Sequence, residues 1–481
     1  MSQISYEAVI GLEVHAELKT DTKIFCDCST RFGGAPNTQC CPVCMGHPGV
    51  LPRLNRRAVE LAMRAGLALN CRIARHCRMD RKHYFYPDLP KAYQISQNEF
   101  PLCRDGFLEL STENGTRCIG ISRIHLEEDA GKLNHTEQGT LIDFNRSGVP
   151  LIEIVSAPEL RSGEEAANYL RALRAILVRC GVSDCKMQEG SLRCDVNISL
   201  RPVGSEAFGV RSEIKNLNSF AFVQKAIQYE IQRQSQMLQR GEELFSETRR
   251  YDEARGITVL MRRKERAVDY RFMPEPDIPP LSVSEEEIEE ARRLLPELPA
   301  AQANRLALEL DIASADAAIL VTDPQLAQYF EETAALTAYP KTAANLLLTD
   351  LLPHCTAEPF SSPVPVAALA ELADLMGQRR INSSTAKKLL LRMTRETISP
   401  AETAERENLW QITDPTLLQA TVEEVLLGNP RAVADWKRGK RAALQALQGQ
   451  VMRQTGGRAD PLLSESLLLS ALNTENKREE S

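Results

Sequence analysis

Between Ile10 and Glu17, polar and apolar side chains alternate without interruption, a pattern that a strand with two unlike faces accommodates and a helix does not. Glu13, His15 and Glu17 fall on one face; Ile10, Leu12 and Val14 fall on the other. The rest of the chain has to bury the second face and find a use for the first. Two carboxylates flanking an imidazole suit a hard divalent cation that tolerates a nitrogen ligand, or an acid/base pair beside one. The plain alternative is an edge strand with a solvated polar face, the ordinary look of an amphipathic strand.

Three further stretches repeat the pattern. Arg123, His125 and Glu127 share one side of a run, as do Arg193, Asp195 and Asn197, and again Arg211, Glu213 and Lys215. If these strands are neighbours in a sheet, their carboxylates converge, and like charges that close persist around a bound cation. This moves Glu13 and His15 from a solvated edge toward a metal site. Arg123, Arg193, Arg211 and Lys215 then supply the opposite charge that an anionic ligand beside the metal requires. In Asp80–Lys91, the side chains Lys82, His83, Tyr84 and Lys91 stand in a segment stiffened by Pro87 and Pro90. Such a segment is either a positive wall for phosphate or carboxylate, or a rigid surface loop. There is no Gly-rich P-loop and no Rossmann fingerprint, so a nucleotide would be held by metal and cations on a sheet.

The cysteines are unevenly spread, with 12 of the 13 before residue 195. Cys26 and Cys28 form a C-x-C, and Cys41 and Cys44 form a C-x-x-C after twelve intervening residues. Two close thiol pairs across a short loop can close a tetrahedral site, and four sulfur ligands favour a structural zinc. Cys40 competes with Cys41 in register, but only Cys41 gives the C-x-x-C spacing. Without a basic-then-apolar leader or a run of roughly 18 apolar residues, the expectation is a cytoplasmic protein with reduced thiols and no membrane contact.

A net charge of −7 argues against a general positive field for nucleic acid. The exception is local: Lys437, Arg438, Lys440, Arg441, Arg453 and Arg458, with Arg431, face a single acid, Asp435, around Trp436. That patch is either a nucleic-acid contact or a solvated helix face. Upstream of the prolines at 274, 276, 279 and 280, short alternating runs mix with helices expected over 163–180 and 218–240. Downstream, an Ala/Leu/Glu-rich composition with helical period takes over, with breaks near Pro363 and Pro400. The fold class is therefore α+β, a mainly antiparallel sheet domain followed by two all-α modules. The boundaries are set at 1–292, 293–400 and 401–481, and the tail from Asn476 is expected to fray.

Long motifs carry a resemblance across the chain. They are I-G-L-E-V-H-A-E-L at 10–18, C-P-V-C-M-G-H-P-G at 41–49, D-R-K-H-Y-F-Y-P-D-L-P-K at 80–91, and H-L-E-E-D-A-G-K at 125–132. They continue with E-G-S-L-R-C-D-V-N-I-S at 189–199, E-I-K-N-L-N-S-F at 213–220, Y-R-F-M-P-E-P-D at 270–277, and G-Q-V-M-R-Q-T-G-G-R-A-D-P at 449–461. In order and spacing these resemble the B subunits of bacterial aspartyl/glutamyl-tRNA amidotransferases, departing where Asp460 replaces an Asn.

The resemblance implies a catalytic domain similar to glutamine synthetase. It implies ATP-dependent phosphorylation of the side chain of a mischarged Glu-tRNA(Gln) or Asp-tRNA(Asn), then displacement of phosphate by ammonia. It implies a glutaminase A subunit as the ammonia source and a small C subunit as a strap. The catalytic residues it implies are Glu13, His15, Glu127, Glu128, Asp195 and Glu213. Magnesium would fall on Glu13, His15, Asp195, Glu213 and Glu127 or Glu128; Glu128 is carried as the ligand although its parity is opposite. Lys82, His83, Tyr84, Lys91, Arg193 and Lys215 would line the phosphate wall or the ammonia path. The basic tail would hold tRNA. Glu17 gains nothing from either argument and is left solvated. The competing class is a zinc-stabilised tRNA-binding scaffold without chemistry of its own.

Overall fold

The opening strand sits at the middle of a sheet, not at its edge. A computed structural model describes residues 5–112, 115–263, 269–357 and 360–479. The main sheet contains β1 (Tyr6–Glu17), β2 (Arg72–Ile73), β3 (Cys103–Thr112), β4 (Gly115–Glu128), β5 (Pro150–Ser156), β6 (Leu192–Pro202), β7 (Ser212–Leu217), β8 (Glu247–Asp252) and β9 (Ile257–Arg263). Their order is β9-β8-β7-β6-β1-β5-β4-β3-β2. Every pairing is antiparallel except β7 with β8.

The apolar face of β1 is buried as its alternation requires. Ile10, Leu12 and Val14 are closed off from solvent and share one core with Leu61, Tyr169, Leu170, Val223 and Ile227. Those partners come from α1 (Arg56–Ala68), α2 (Gly163–Arg179) and α3 (Phe220–Gln239). The last two coincide with the helices expected from sequence, and each starts where a serine accepts a backbone N–H: Ser162 from Glu165 and Ser219 from Phe222. With one face covered by helices, the other face of β1 keeps Glu13, His15 and Glu17 half-buried. A separate hairpin pairs Lys132–Thr136 with Gly139–Asp143. The prolines after residue 273 fall in short bridges and turns before α4 (Glu285–Arg293), which opens on a Ser284/Glu287 capping box.

Contacts divide the chain into one unit to Pro299 and a second from Ala300. The second is helical and has two apolar cores. One gathers Leu306, Phe330, Leu347, Leu369 and Leu389 and reaches Ala404; the other gathers Leu418, Val422, Leu447, Val451 and Leu468. Ser399 caps the helix Pro400–Arg406, which packs in the earlier of the two cores. The final helix, Pro461–Glu479, runs through much of the tail expected to fray, and residues 480–481 lie outside the described ones. Asp460 starts it: its Oδ1 accepts from the backbone N–H groups of Leu462 and Leu463 at 2.9 and 3.0 Å. Asn makes the same cap, so Asp460→Asn is expected to leave the denaturant midpoint of this unit unchanged, whereas Asp460→Ala should cost about 1 kcal/mol.

Candidate functional site

Antiparallel register decides which polar side chains on the open face of the sheet meet. Glu13 lies directly across from Asp195, and Asn197 across from Glu213. Oxygens from Glu13, Asp195 and Glu213 lie within 4.8 Å of one another. Their repulsion is offset locally. Lys215 Nζ bridges Asp195 and Glu213 at 2.6 and 3.0 Å, Asn197 Nδ2 donates to Glu13 at 2.8 Å, and Thr248 Oγ1 donates to Glu213 at 3.0 Å. Burial alone would lower the Lys215 ammonium's pKa, but Asp195 and Glu213 outweigh it and drive it upward.

One pair further along β1, His15 stands across from Arg193 on one side and Glu153 on the other. His15, Glu127 and Glu153 form a second group within the same 4.8 Å limit. The His15 Nε2 is 3.4 Å from Glu153 and 3.5 Å from Glu127, and His125 Nε2 approaches Glu153 at 3.5 Å. Burial by itself depresses the His15 imidazole, yet the hydrogen bond to Glu153 and the charge of Glu127 leave it raised. Glu153 shows the converse: burial pushes it up, and the two histidines pull it well below the usual carboxylate range. Both groups are built of hard oxygen donors, one with a ring nitrogen, and their clustered negative charge fits a magnesium-like ion.

Glu153 is a residue the sequence reading missed. It is the single carboxylate in the mostly apolar run Pro150–Ser156, and the available signal was its alternation with the buried Ile152 and Ile154. Glu128 is the reverse case. One position past Glu127, it points to the opposite side of β4, where Lys91 Nζ grips both its oxygens at 2.6 Å and the Ile95 N–H donates at 2.8 Å. It joins neither carboxylate group; among the described residues the β4 carboxylate that does so is Glu127. Glu17 also differs from expectation. Burial and the neighbouring Asp129 carboxylate push its own carboxyl up to about 8, so it is no solvated side chain. Asp129 itself would be raised by burial, but Arg193, at 2.7 Å, and Arg146 lower it.

The expected cationic wall is split. Lys82 lies over the Tyr270 and Tyr84 rings at 5.0 and 5.8 Å, and its charge reaches Glu153. Tyr84 is raised, first by burial and then by Glu127. His83 Nδ1 is 2.9 Å from the Arg271 carbonyl oxygen, and Lys91 faces away on Glu128. Arg123 pairs in register with Val155. Arg211 lines a cleft of about 340 Å³ with Gly11, Glu13, Ser156, Pro158 and Phe208, immediately beside the Glu13 group.

The sulfur atoms of Cys26, Cys28, Cys41 and Cys44 converge within 4.8 Å, while Cys40 turns its sulfur toward Asn145. The register left open between Cys40 and Cys41 is thereby resolved. The hydrogen bond from Cys26 draws the Cys44 thiol down to about 4 against the opposing effect of burial, assisted by the Cys41 backbone N–H and Lys23. Four converging sulfurs with one thiol already favouring its anion are a donor set suited to zinc.

Part of the basic tail is engaged within the fold. Arg438 and Lys440 both pair with Asp435, at 3.3 and 3.2 Å. Arg458 is spent on the carbonyl oxygens of Thr455 and Asn408. Lys437 closes the helix Pro430–Lys437, Arg441 precedes the helix Ala442–Gln454, and Arg453 is in that helix's last turn. No described helix is long and apolar enough to cross a membrane.

Known proteins share this sequence at length. The GatB/GatE catalytic domain family matches residues 8–289, which hold both carboxylate groups and the four cysteines, and the GatB domain family matches residues 328–472. The B subunit of the aspartyl/glutamyl-tRNA(Asn/Gln) amidotransferase of Clostridium botulinum strain 657 is 51% identical over 474 residues, covering 98% of this chain and all of that protein. The corresponding B subunit of Caldanaerobacter subterraneus subsp. tengcongensis is also 51% identical, with the same coverage. The chain belongs to the GatB family, the B subunits of tRNA-dependent amidotransferases.

Proposed function

We propose that this chain carries out the ATP-dependent amidation of Glu-tRNA(Gln), Asp-tRNA(Asn) or both, in the cytoplasm. The observation that carries the reading is the pair of carboxylate groups side by side on one sheet face, next to an open cleft. A side-chain carboxylate is a poor electrophile. Transfer of the terminal phosphoryl group of ATP to its oxygen gives an acyl phosphate and ADP. Attack by ammonia at that carbon expels phosphate and leaves the amide.

Magnesium would be held by Glu13, Asp195 and Glu213, and by His15, Glu127 and Glu153. When bound it neutralises charge that develops on the transferring phosphoryl group. The chain's own groups do the rest. Lys215, seated between Asp195 and Glu213, and Arg193, seated beside Asp129, keep positive charge at the floor of the site. The cleft with Phe208 and Arg211 takes the nucleotide, apolar on one side and cationic on the other. Lys82 and Tyr84 face the second carboxylate group, on the side from which substrate carboxylate or ammonia enters. The four cysteines hold a structural zinc.

Ammonia comes from a glutaminase A subunit, with a small C subunit completing the assembly. The tail from 401 to 481 contacts the tRNA body, the segment 293–400 links it to the catalytic part, and residues 1–292 do the chemistry.

In the assembled enzyme, with Glu-tRNA(Gln), ATP and labelled glutamine, Glu13→Ala, Asp195→Ala and Glu153→Ala should each lower amidation on the order of 100-fold or more. Glutaminase activity of the same complexes should stay near normal. Full amidation by all three variants would leave the scaffold reading standing instead. Replacing Lys437, Arg441 and Arg453 together by Ala should weaken tRNA binding, with the slope of log affinity against log salt falling by about 1 for each phosphate no longer neutralised. An unchanged affinity and slope would remove the tail from the tRNA interface.

A further inference from the structure

Lys23 is a buried charge with no part in the chemistry above. The residue is 0% exposed. Its ammonium lies 3.6 Å from Cys44 Sγ and 3.2 Å from the Phe144 carbonyl oxygen, to both of which it donates. Lys23 belongs to the cysteine loop itself, its backbone N–H donating to the Cys28 carbonyl at 2.9 Å. The stem runs beside Gly148, where an added Cβ would meet Lys23 Cδ at 3.6 Å. Among the described residues no carboxylate pairs with Lys23. Glu128, which lines the same cavity, is engaged by Lys91 at 2.6 Å.

An ammonium shut away from water is costly unless a lasting anion sits beside it. A carbonyl does not provide one, and the cysteine sulfurs do so only as thiolates. A divalent ion on four thiolates does, because the two positive charges leave two of the four negative charges uncompensated. We propose that Lys23 is the charge-compensating residue of the four-cysteine site. Its N–H···S bond to Cys44 and its positive charge offset the excess negative charge of the metal–thiolate group and strengthen metal binding. Groups that orient and balance metal ligands from behind commonly govern affinity in this way. Lys23 is thus a positioning residue, and its role rests on the reading of the four cysteines as a zinc site.

The test uses the full chain and zinc alone. Zinc content is measured by elemental analysis and affinity by competition with a chromophoric chelator, for the wild type, Lys23→Gln and Lys23→Met. Glutamine keeps a donor for the Phe144 carbonyl but not the charge. Both variants are expected to hold zinc about 10- to 100-fold more weakly. Their cobalt-substituted forms should show a shifted sulfur-to-metal charge-transfer band, and the zinc-free variants should melt no lower than the zinc-free wild type. Equal zinc affinity in all three proteins, or the same loss of melting temperature with and without zinc, overturns the role of Lys23 while leaving the zinc site intact. A wild type that holds no zinc overturns both. Should the variants not fold, amine acetylation of the wild type decides. Lys23 should be protected with zinc and become severalfold more reactive, relative to exposed Lys19, when a chelator strips the metal. Protection that survives metal removal contradicts the proposal.

Discussion

Glu13, Asp195 and Glu213 bring like charges within 4.8 Å, and everything else on this sheet face is arranged around that repulsion. The convergence is forced by backbone pairing: β1 runs antiparallel between β5 and β6, so Glu13 faces Asp195, and His15 faces Arg193 on one side and Glu153 on the other. Moving the register by one residue would send Glu13 and His15 into the core and Leu12 and Val14 out of it. Helices α1, α2 and α3 prevent this by burying the apolar face completely. Stability and chemistry therefore rest on the same alternation.

Charges on the open face balance locally. Lys215 serves the Glu13 group, His15 and His125 serve Glu153, and Arg193 with Arg146 serves Asp129. Glu17 is left as the least compensated member, which is why its carboxyl is raised to about 8 by burial and by Asp129. On the far side of β4 a separate set meets the cysteine loop. Gly46 passes so close to Lys91 that a Cβ there would lie 2.4 Å from Lys91 Cγ, and Lys91 in turn holds Glu128. The cysteine loop thus packs against the strand whose next residue, Glu127, faces the carboxylate groups. This gives a metal remote from the proposed phosphoryl transfer a structural reason to be present.

Features encoded within a few residues were legible in the sequence. The alternation of β1, the thiol spacing and the serine-capped helices α2 and α3 all appear as expected, as does the mainly antiparallel sheet followed by helices. Features that depend on distant partners were not. Glu153 hides in an apolar strand and matters only because β5 lies between β1 and β4. The alternation of β4 pointed to Glu127, while the adjacent Glu128 carried equal weight by motif; its pairing with Lys91 across 37 residues places it away from both carboxylate groups. Glu17 and Lys23 both needed the fold before their burial was visible. In the tail, a run of positive charge gave no hint that Asp435 would hold Arg438 and Lys440, or that Arg458 would be spent on carbonyls.

The central claim is that the two carboxylate groups on one sheet face bind the cations that accompany a nucleotide. Anomalous diffraction from crystals of the assembled enzyme soaked with Mn²⁺ and a non-hydrolysable ATP analogue tests it most directly. The account predicts one peak among Glu13, Asp195 and Glu213 and another among His15, Glu127 and Glu153, with the nucleotide in the cleft beside Phe208 and Arg211. A nucleotide bound elsewhere, or manganese at neither group, would contradict it.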